Sequence, residues 1–389
     1  MPSVQWTDRF PHVPTARGVL QPQHNFGDLK SALAFDAERE RLWILVVQET
    51  GVLALWSWDG TRFDFFGAGR EGLGCGIGTY DSIYLFHERG RRGPTMLVRG
   101  DTICRFDGDR PSVESLDESI DQDDDNVVFD PLRQVLVAFL ASAADGSFEI
   151  RELVGRGWKV HSHPYEWHDP SFSAFWDDPR RAAVGIDLGA DRGYAWDGKS
   201  VREVPRFRMT ERLVGSRMAL QDPRTGAAWL AIVSNCDLEP SRLWALGKEE
   251  WSTVPSPLPN LWSATVRDPA KKVLYFHGAA SGAETALSRF DGKRLEAVAG
   301  IQMSAEALVP LASGLLVVGR TPSAPGMRSV TSTSDRARVG LLDEDGGLTV
   351  HPCPLAAWID APGGPLGFAA GGAVHRFTPA GLEALGSAN

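Results

Sequence analysis

Apolar residues in this chain come in short runs, broken every few positions by polar or turn-forming residues, and helical spacing of apolar positions is nearly absent. Runs of that kind, bounded by Gly, Pro, Asp and Asn, predict β-strands. One phrase keeps returning: a short apolar run, an Asp, a Pro or Ala, a basic residue, then a second apolar run. It reads Leu33-Ala-Phe-Asp-Ala-Glu-Arg39 before Leu42-Trp-Ile-Leu-Val-Val47, and Val127-Val-Phe-Asp-Pro-Leu-Arg133 before Val135-Leu-Val-Ala-Phe-Leu140. Further copies are Ala174-Phe-Trp-Asp-Asp-Pro-Arg180, Met218-Ala-Leu-Gln-Asp-Pro-Arg224 and Ala264-Thr-Val-Arg-Asp-Pro-Ala-Lys271. Gly78-Thr-Tyr-Asp81 before Ile83-Tyr-Leu-Phe86 reads as a tighter copy. The anchoring aspartates, at 36, 81, 130, 178, 222 and 268, stand 44 to 49 residues apart. Degenerate copies around Pro310-Leu-Ala-Ser-Gly314 and Asp360-Ala-Pro-Gly-Gly364 bring the number to eight.

A second signal runs in step with the first. Trp58-Asp-Gly60, Phe106-Asp-Gly108, Trp196-Asp-Gly198 and Phe290-Asp-Gly292 each end one apolar run and open another. Asp-Gly between such runs predicts a hairpin, because both central residues of a type I′ turn need positive φ. Asp-Pro-x-Arg predicts a turn in which Pro presets φ and Asp accepts a backbone hydrogen bond. Each repeat therefore holds four strands, a to d, with Asp-Pro at the a–b turn and Asp-Gly at the c–d turn. Four antiparallel strands repeated every ~40–50 residues predict an all-β fold, a β-propeller. Eight blades are expected, or seven if two weak copies merge, in one domain spanning 1–389 with blades beginning near 31, 76, 126, 172, 217, 263, 306 and 356. Val4-Gln-Trp-Thr-Asp-Arg-Phe-Pro11 reads as a strand d without a blade. It is expected to dock on the last blade and complete or extend it, since an open ring leaves unpaired edges.

The repeat resembles that of kelch-type propellers and the central domain of galactose oxidase, where an aromatic-Asp-x-x-Arg segment precedes an apolar strand and a Trp-Asp-Gly hairpin follows. The resemblance implies the blade architecture and no chemistry. The diglycine expected at the end of strand b occurs only as Gly371-Gly372, and no Tyr–Cys pair of the galactose oxidase copper site can be matched.

Composition narrows the partners. Hydrophobic residues make up 43% of the 389, enough to bury a core. The net charge of −10, without a basic block, argues against nucleic acid or an anionic membrane as partner. No apolar run approaches the ~18 residues of a membrane-spanning helix, and Met1 to Phe10 lacks the basic head and apolar stretch of a secretory signal. The scattered Cys75, Cys104, Cys236 and Cys353 form no CxxC and read as buried thiols of a reducing compartment. A cytoplasmic protein is expected.

Antiparallel topology puts the a–b and c–d turns at one end of every blade and the b–c and d–a connections at the other, where variable loops on a rigid scaffold carry binding residues. Candidates follow from that end. The crossing from Glu114 to Asp125 holds seven carboxylates in twelve residues, with Asp121, Asp123 and Asp125 alternating as in calcium loops, but Asn126 and Leu132 stand where an EF-hand wants Gly and Glu. A solvated acidic loop, a cation site or a dock for a basic partner would each fit it. His163, His168 and Asp169 could supply a divalent metal's ligands in the next crossing. Glu211, Arg212 and Arg217, with Trp262 beyond, would suit an anionic or carbohydrate ligand. His87 and His277 read as two residues closing strand b in blades two and six. The segment 320–336, rich in Ser, Thr and Pro, is an insertion in blade seven.

No phosphate loop, Gly-x-Ser-x-Gly elbow or HExxH occurs. Three functions are therefore expected in turn: a recognition module binding a protein or peptide, a metal-dependent hydrolase, lyase or oxidase, and a lectin-like or small-molecule binder.

Overall fold

The structure is a computed structural model of the whole chain. It describes residues 29–36, 38–48, 53–60, 62–68, 83–98, 100–107, 112–120, 126–141, 147–164, 172–187, 192–206, 215–234, 241–258, 261–268, 270–279, 285–300, 303–311, 313–320, 337–343, 347–353, 356–359, 361, 363–369, 372–378 and 380–387. These residues form eight four-stranded antiparallel sheets and no helix. In each sheet consecutive strands pair in chain order.

Eight hydrophobic clusters hold the sheets together, and each joins two successive blades. Trp43, Leu45 and Leu55 of blade one meet Ile83, Leu85 and Met96 of blade two. Phe175, Val184 and Ile186 of blade four meet Leu230, Trp244 and Leu246 of blade five. The ring closes where Trp56 and Trp58 of blade one meet Ile359, Leu366 and Phe368 of blade eight. The molecule is an eight-bladed β-propeller.

Both faces of each blade are thus covered, which explains why the inner strands read as unbroken apolar runs. Phe172–Asp177 and Ala182–Asp187, strands a and b of blade four, are buried at every position. Strand d faces water, and Ser112–Ser115 of blade two is largely exposed. Strands a contact their counterparts in neighbouring blades, which makes them the innermost ring.

Blade eight draws all four strands, Ala356–Ile359, Leu366–Ala369, Ala373–Thr378 and Gly381–Ser387, from the C-terminal part of the chain. It therefore needs no borrowed strand for completion, and residues 4–11 lie outside the described residues. Blade two differs from the sequence expectation. Ile83–Phe86 is its strand a, paired with Thr95–Val98, and not its strand b. The a–b turn is then 87–94, and Asp81 lies outside the described residues, before strand a in the sequence. In blade four the capping residue is Asp177, one position before the expected Asp178. The thiol reading also needs correction: Cys104 is disulfide-bonded, whereas Cys353 is free and buried.

Candidate functional site

The two signals of the repeat run in step because their turns touch. In the a–b turns, one carboxylate oxygen of the aspartate accepts the N–H groups two and three residues on. Asp130 does so from Leu132 and Arg133 at 2.9 and 3.0 Å, Asp268 from Ala270 and Lys271 at 3.0 and 2.9 Å, and Asp36 from Glu38 and Arg39 at 3.0 Å each. The second oxygen pins the basic residue of the phrase: Arg39 at 2.9 Å, Arg133 at 2.6 Å, and in blade four Arg180 to Asp177 at 2.8 Å.

That basic side chain then reaches the following blade. Arg39 Nη1 donates to the Arg91 carbonyl at 2.6 Å, Arg180 Nη2 donates to the Gly247 carbonyl in the c–d turn of blade five, and Lys271 Nζ donates to the Gly314 carbonyl of blade seven at 3.4 Å. Arg133 lies so close to Gly198, in the c–d turn of blade four, that a Cβ there would fall 2.5 Å from its Nη1. Gly198 has φ 88°, as the Asp-Gly signal requires. The neighbouring Asp197 closes the hairpin by accepting from the N–H groups of Lys199 and Ser200 at 2.9 Å each. The turn aspartates and their basic partners therefore hold successive blades together. Burial works to raise the Asp36 pKa, but hydrogen bonds from His87 and Arg39 outweigh it and bring it down to about 2. Glu152 of blade three, also pushed up by burial, is held below the usual carboxylate range by Trp196 and Arg133.

Blade two is the exception, and sequence reasoning missed it. His87 occupies the place of the turn aspartate, with Nε2 at 3.3 Å from Asp36 Oδ2 and 3.2 Å from the Arg91 carbonyl. Both partners are acceptors, so Nε2 carries the proton. Its turn is shaped by Glu88, which accepts from Arg91 at 3.0 Å, Thr95 at 2.7 Å and Arg105 at 3.1 Å. His87 thus lies at the turn end, not at the expected working end. His277 lies within strand b of blade six, Val273–Ala279, buried beside Met303, and desolvation lowers its pKa to about 4. Bonding distance from Asp36 across a blade junction has no spacing signal that a sequence could show.

The other end carries connections of unequal length: 99–101 and 370–372 against 321–336 between strands b and c, and 259–260 against 69–82 between strands d and a. Part of the acidic crossing is described. Leu116 and Ile120 are buried with Tyr84, Leu97 and Ile103, while their N–H groups donate to the Asp101 and Gly100 carbonyls at 2.7 and 3.1 Å. This anchoring leaves Asp117 and Glu118 exposed, Glu118 facing Arg151 at 3.2 Å. Glu114, by contrast, belongs to strand d and is ion-paired with Arg105 and Arg156 at 2.8 and 2.9 Å.

The remaining candidates divide as follows. Asp121, Asp123, Asp125, His168, Asp169, Glu211 and Arg212 lie outside the described residues. Arg217 and Trp262 sit near the starts of two neighbouring inner strands, Gly215–Gln221 and Leu261–Asp268. A break in register follows Trp262 directly, between Trp262 and Ala264. His163 lies on strand d of blade three, stacked on Phe148 with ring centroids 5.3 Å apart, and desolvation lowers its pKa. His161 packs on Trp196 at 4.5 Å. Among the described residues no group of three or more His, Cys, Asp or Glu is placed to hold a metal ion.

No protein-family model matches the chain, and no curated protein matches it. Among solved structures, a virginiamycin B lyase from Staphylococcus aureus is 10% identical over 76% of this chain and 93% of its own, with a TM-score of 0.45. An oligogalacturonate lyase in complex with manganese is 11% identical over 88% and 96%, with a TM-score of 0.43. A lectin in complex with alpha methyl fucoside is 10% identical over 94% and 98%, with a TM-score of 0.35. These likenesses assign no activity to the chain.

Proposed function

We propose that the protein is a recognition module that binds a protein or peptide partner through the b–c and d–a end of its ring, without catalysis. One observation carries this reading. At the opposite end the turn aspartates and the basic residues paired with them cap their own turns and bridge successive blades. Connections differ most from blade to blade at the other end, where they run from 259–260 to 69–82 and 321–336, against 312–313 to 87–94 at the turn end. The acidic crossing that begins with Asp117 and Glu118 on an anchored stretch favours a partner segment rich in Lys and Arg.

The test is affinity capture from the native source at moderate and raised ionic strength, with two charge-reversed variants. One carries Asp117→Lys, Glu118→Lys and Asp123→Lys; the other carries Arg62→Glu and Lys293→Glu at the turn end. The reading expects a partner held by wild type and by the second variant, lost from the first, and weakened by salt. Loss from the second variant alone, or capture indifferent to both, would overturn it.

A further inference from the structure

Cys104, on strand Thr102–Arg105 of blade two, is disulfide-bonded and wholly buried in the cluster between blades one and two. The chain has only three other cysteines. Cys353 is a free thiol buried between blades seven and eight, and burial pushes its pKa up to about 12. The partner is therefore Cys75 or Cys236. Cys236 follows Ser234, the last residue of strand b in blade five, and blades three and four stand between blade five and blade two. Cys75 belongs to the connection between Phe63–Ala68 and Ile83–Phe86, which joins the two blades whose junction encloses Cys104.

We propose that Cys75 and Cys104 form a structural disulfide that ties the crossing from blade one to blade two to the core of their junction, and that the protein is built for an oxidising compartment. Disulfides persist in such compartments and are reduced in the cytosol. The sequence supplies a reason for the bond: six glycines, at 67, 69, 72, 74, 76 and 78, fall within twelve residues. A glycine-rich chain loses much conformational freedom on folding, and a cross-link removes part of that freedom from the unfolded state.

The bond forms by exchange with a small-molecule disulfide such as oxidised glutathione. One cysteine thiolate attacks a glutathione sulfur, making a mixed disulfide and releasing one glutathione thiolate. The other cysteine thiolate then attacks the protein sulfur of that mixed disulfide, closing the bond and releasing the second glutathione thiolate. Two protein thiols are oxidised and one glutathione disulfide is reduced to two thiols. Because the Cys104 sulfur is enclosed, the finished bond is shielded from attack and belongs with structural rather than exchanging disulfides.

Purified protein is equilibrated with oxidised glutathione, alkylated under denaturing conditions without reductant, digested and mapped by mass spectrometry. The expected result is a cross-linked peptide pair containing Cys75 and Cys104, with Cys236 and Cys353 alkylated. Melting temperature should fall by several degrees on reduction. Cys75→Ser, which leaves the buried Cys104 in place, should melt like the reduced wild type and ignore reductant. Alkylation of Cys104, its linkage to Cys236, or melting that ignores redox state in the wild type would each overturn the proposal.

Discussion

The two ends of the ring are built from the same strands and treat charge in opposite ways. At the a–b and c–d end, Asp36, Asp130, Asp177 and Asp268 are buried, bonded to backbone N–H groups or to a basic side chain, and four basic residues lean onto the next blade. At the b–c and d–a end, the described part of the acidic crossing buries apolar Leu116 and Ile120 and leaves Asp117 and Glu118 exposed, Glu118 beside Arg151 at 3.2 Å. A repeat motif shared by blades is thus a structural adhesive, and function is to be sought where blades differ.

Predictions that sharpen this contrast run from large to small. Asp177→Ala should cost about 4 kcal/mol in denaturant unfolding, because it strands the Arg180 guanidinium and the Ala228 N–H of blade five, which Asp177 accepts at 2.9 Å. Acid should act in two steps. The His277 imidazole stays neutral down to about pH 4 in the native protein, against an ordinary value of 6.5, so the unfolded chain takes up the proton first. Stability should then fall by up to about 3 kcal/mol between those values. Asp36, charged down to about pH 2 against 3.8, contributes stability above pH 3.8 that is lost as pH falls towards 2. His277→Gln should flatten the upper step and spare the lower.

Two glycines separate packing from backbone effects. Gly198→Ala should cost about 2 kcal/mol, since its positive φ strains any side chain and the new Cβ displaces Arg133 from Asp130 and Glu152. Gly90→Ala, with φ +79° and open space around it, should cost about 1 kcal/mol from the backbone alone. Arg62→Ala removes an exposed pair with Asp64 at 2.9 Å and should stay within about 0.5 kcal/mol. Equal costs for Asp177→Ala and Arg62→Ala would mean that the buried inter-blade bonds of the turn aspartate add nothing over an exposed ion pair at the same end.

Much of the architecture was legible because turn chemistry repeats. Asp-Gly at 59–60, 197–198 and 291–292 marked c–d hairpins that the structure contains, although Asp closes them as a side-chain acceptor while Gly alone takes positive φ. Blade two was misread because its turn lacks the aspartate the phrase depends on, and Asp81 offered a decoy at the right spacing. His87 does its work through Asp36 of the preceding blade, a contact that exists only after folding. The candidate site was legible only as an end of the ring, because the residues that would make it lie on connections whose geometry no repeat fixes.

The most direct test joins stability and binding in one pair of variants. The first replaces 321–336 with a short Gly-Ser linker and neutralises Asp121, Asp123 and Asp125; the second is Asp177→Ala. The account predicts that the first melts within about 2 °C of wild type and loses its partner, while the second melts well below wild type and, while folded, keeps the partner. A first variant that unfolds, or that binds as wild type does, would contradict the division of labour between the two ends.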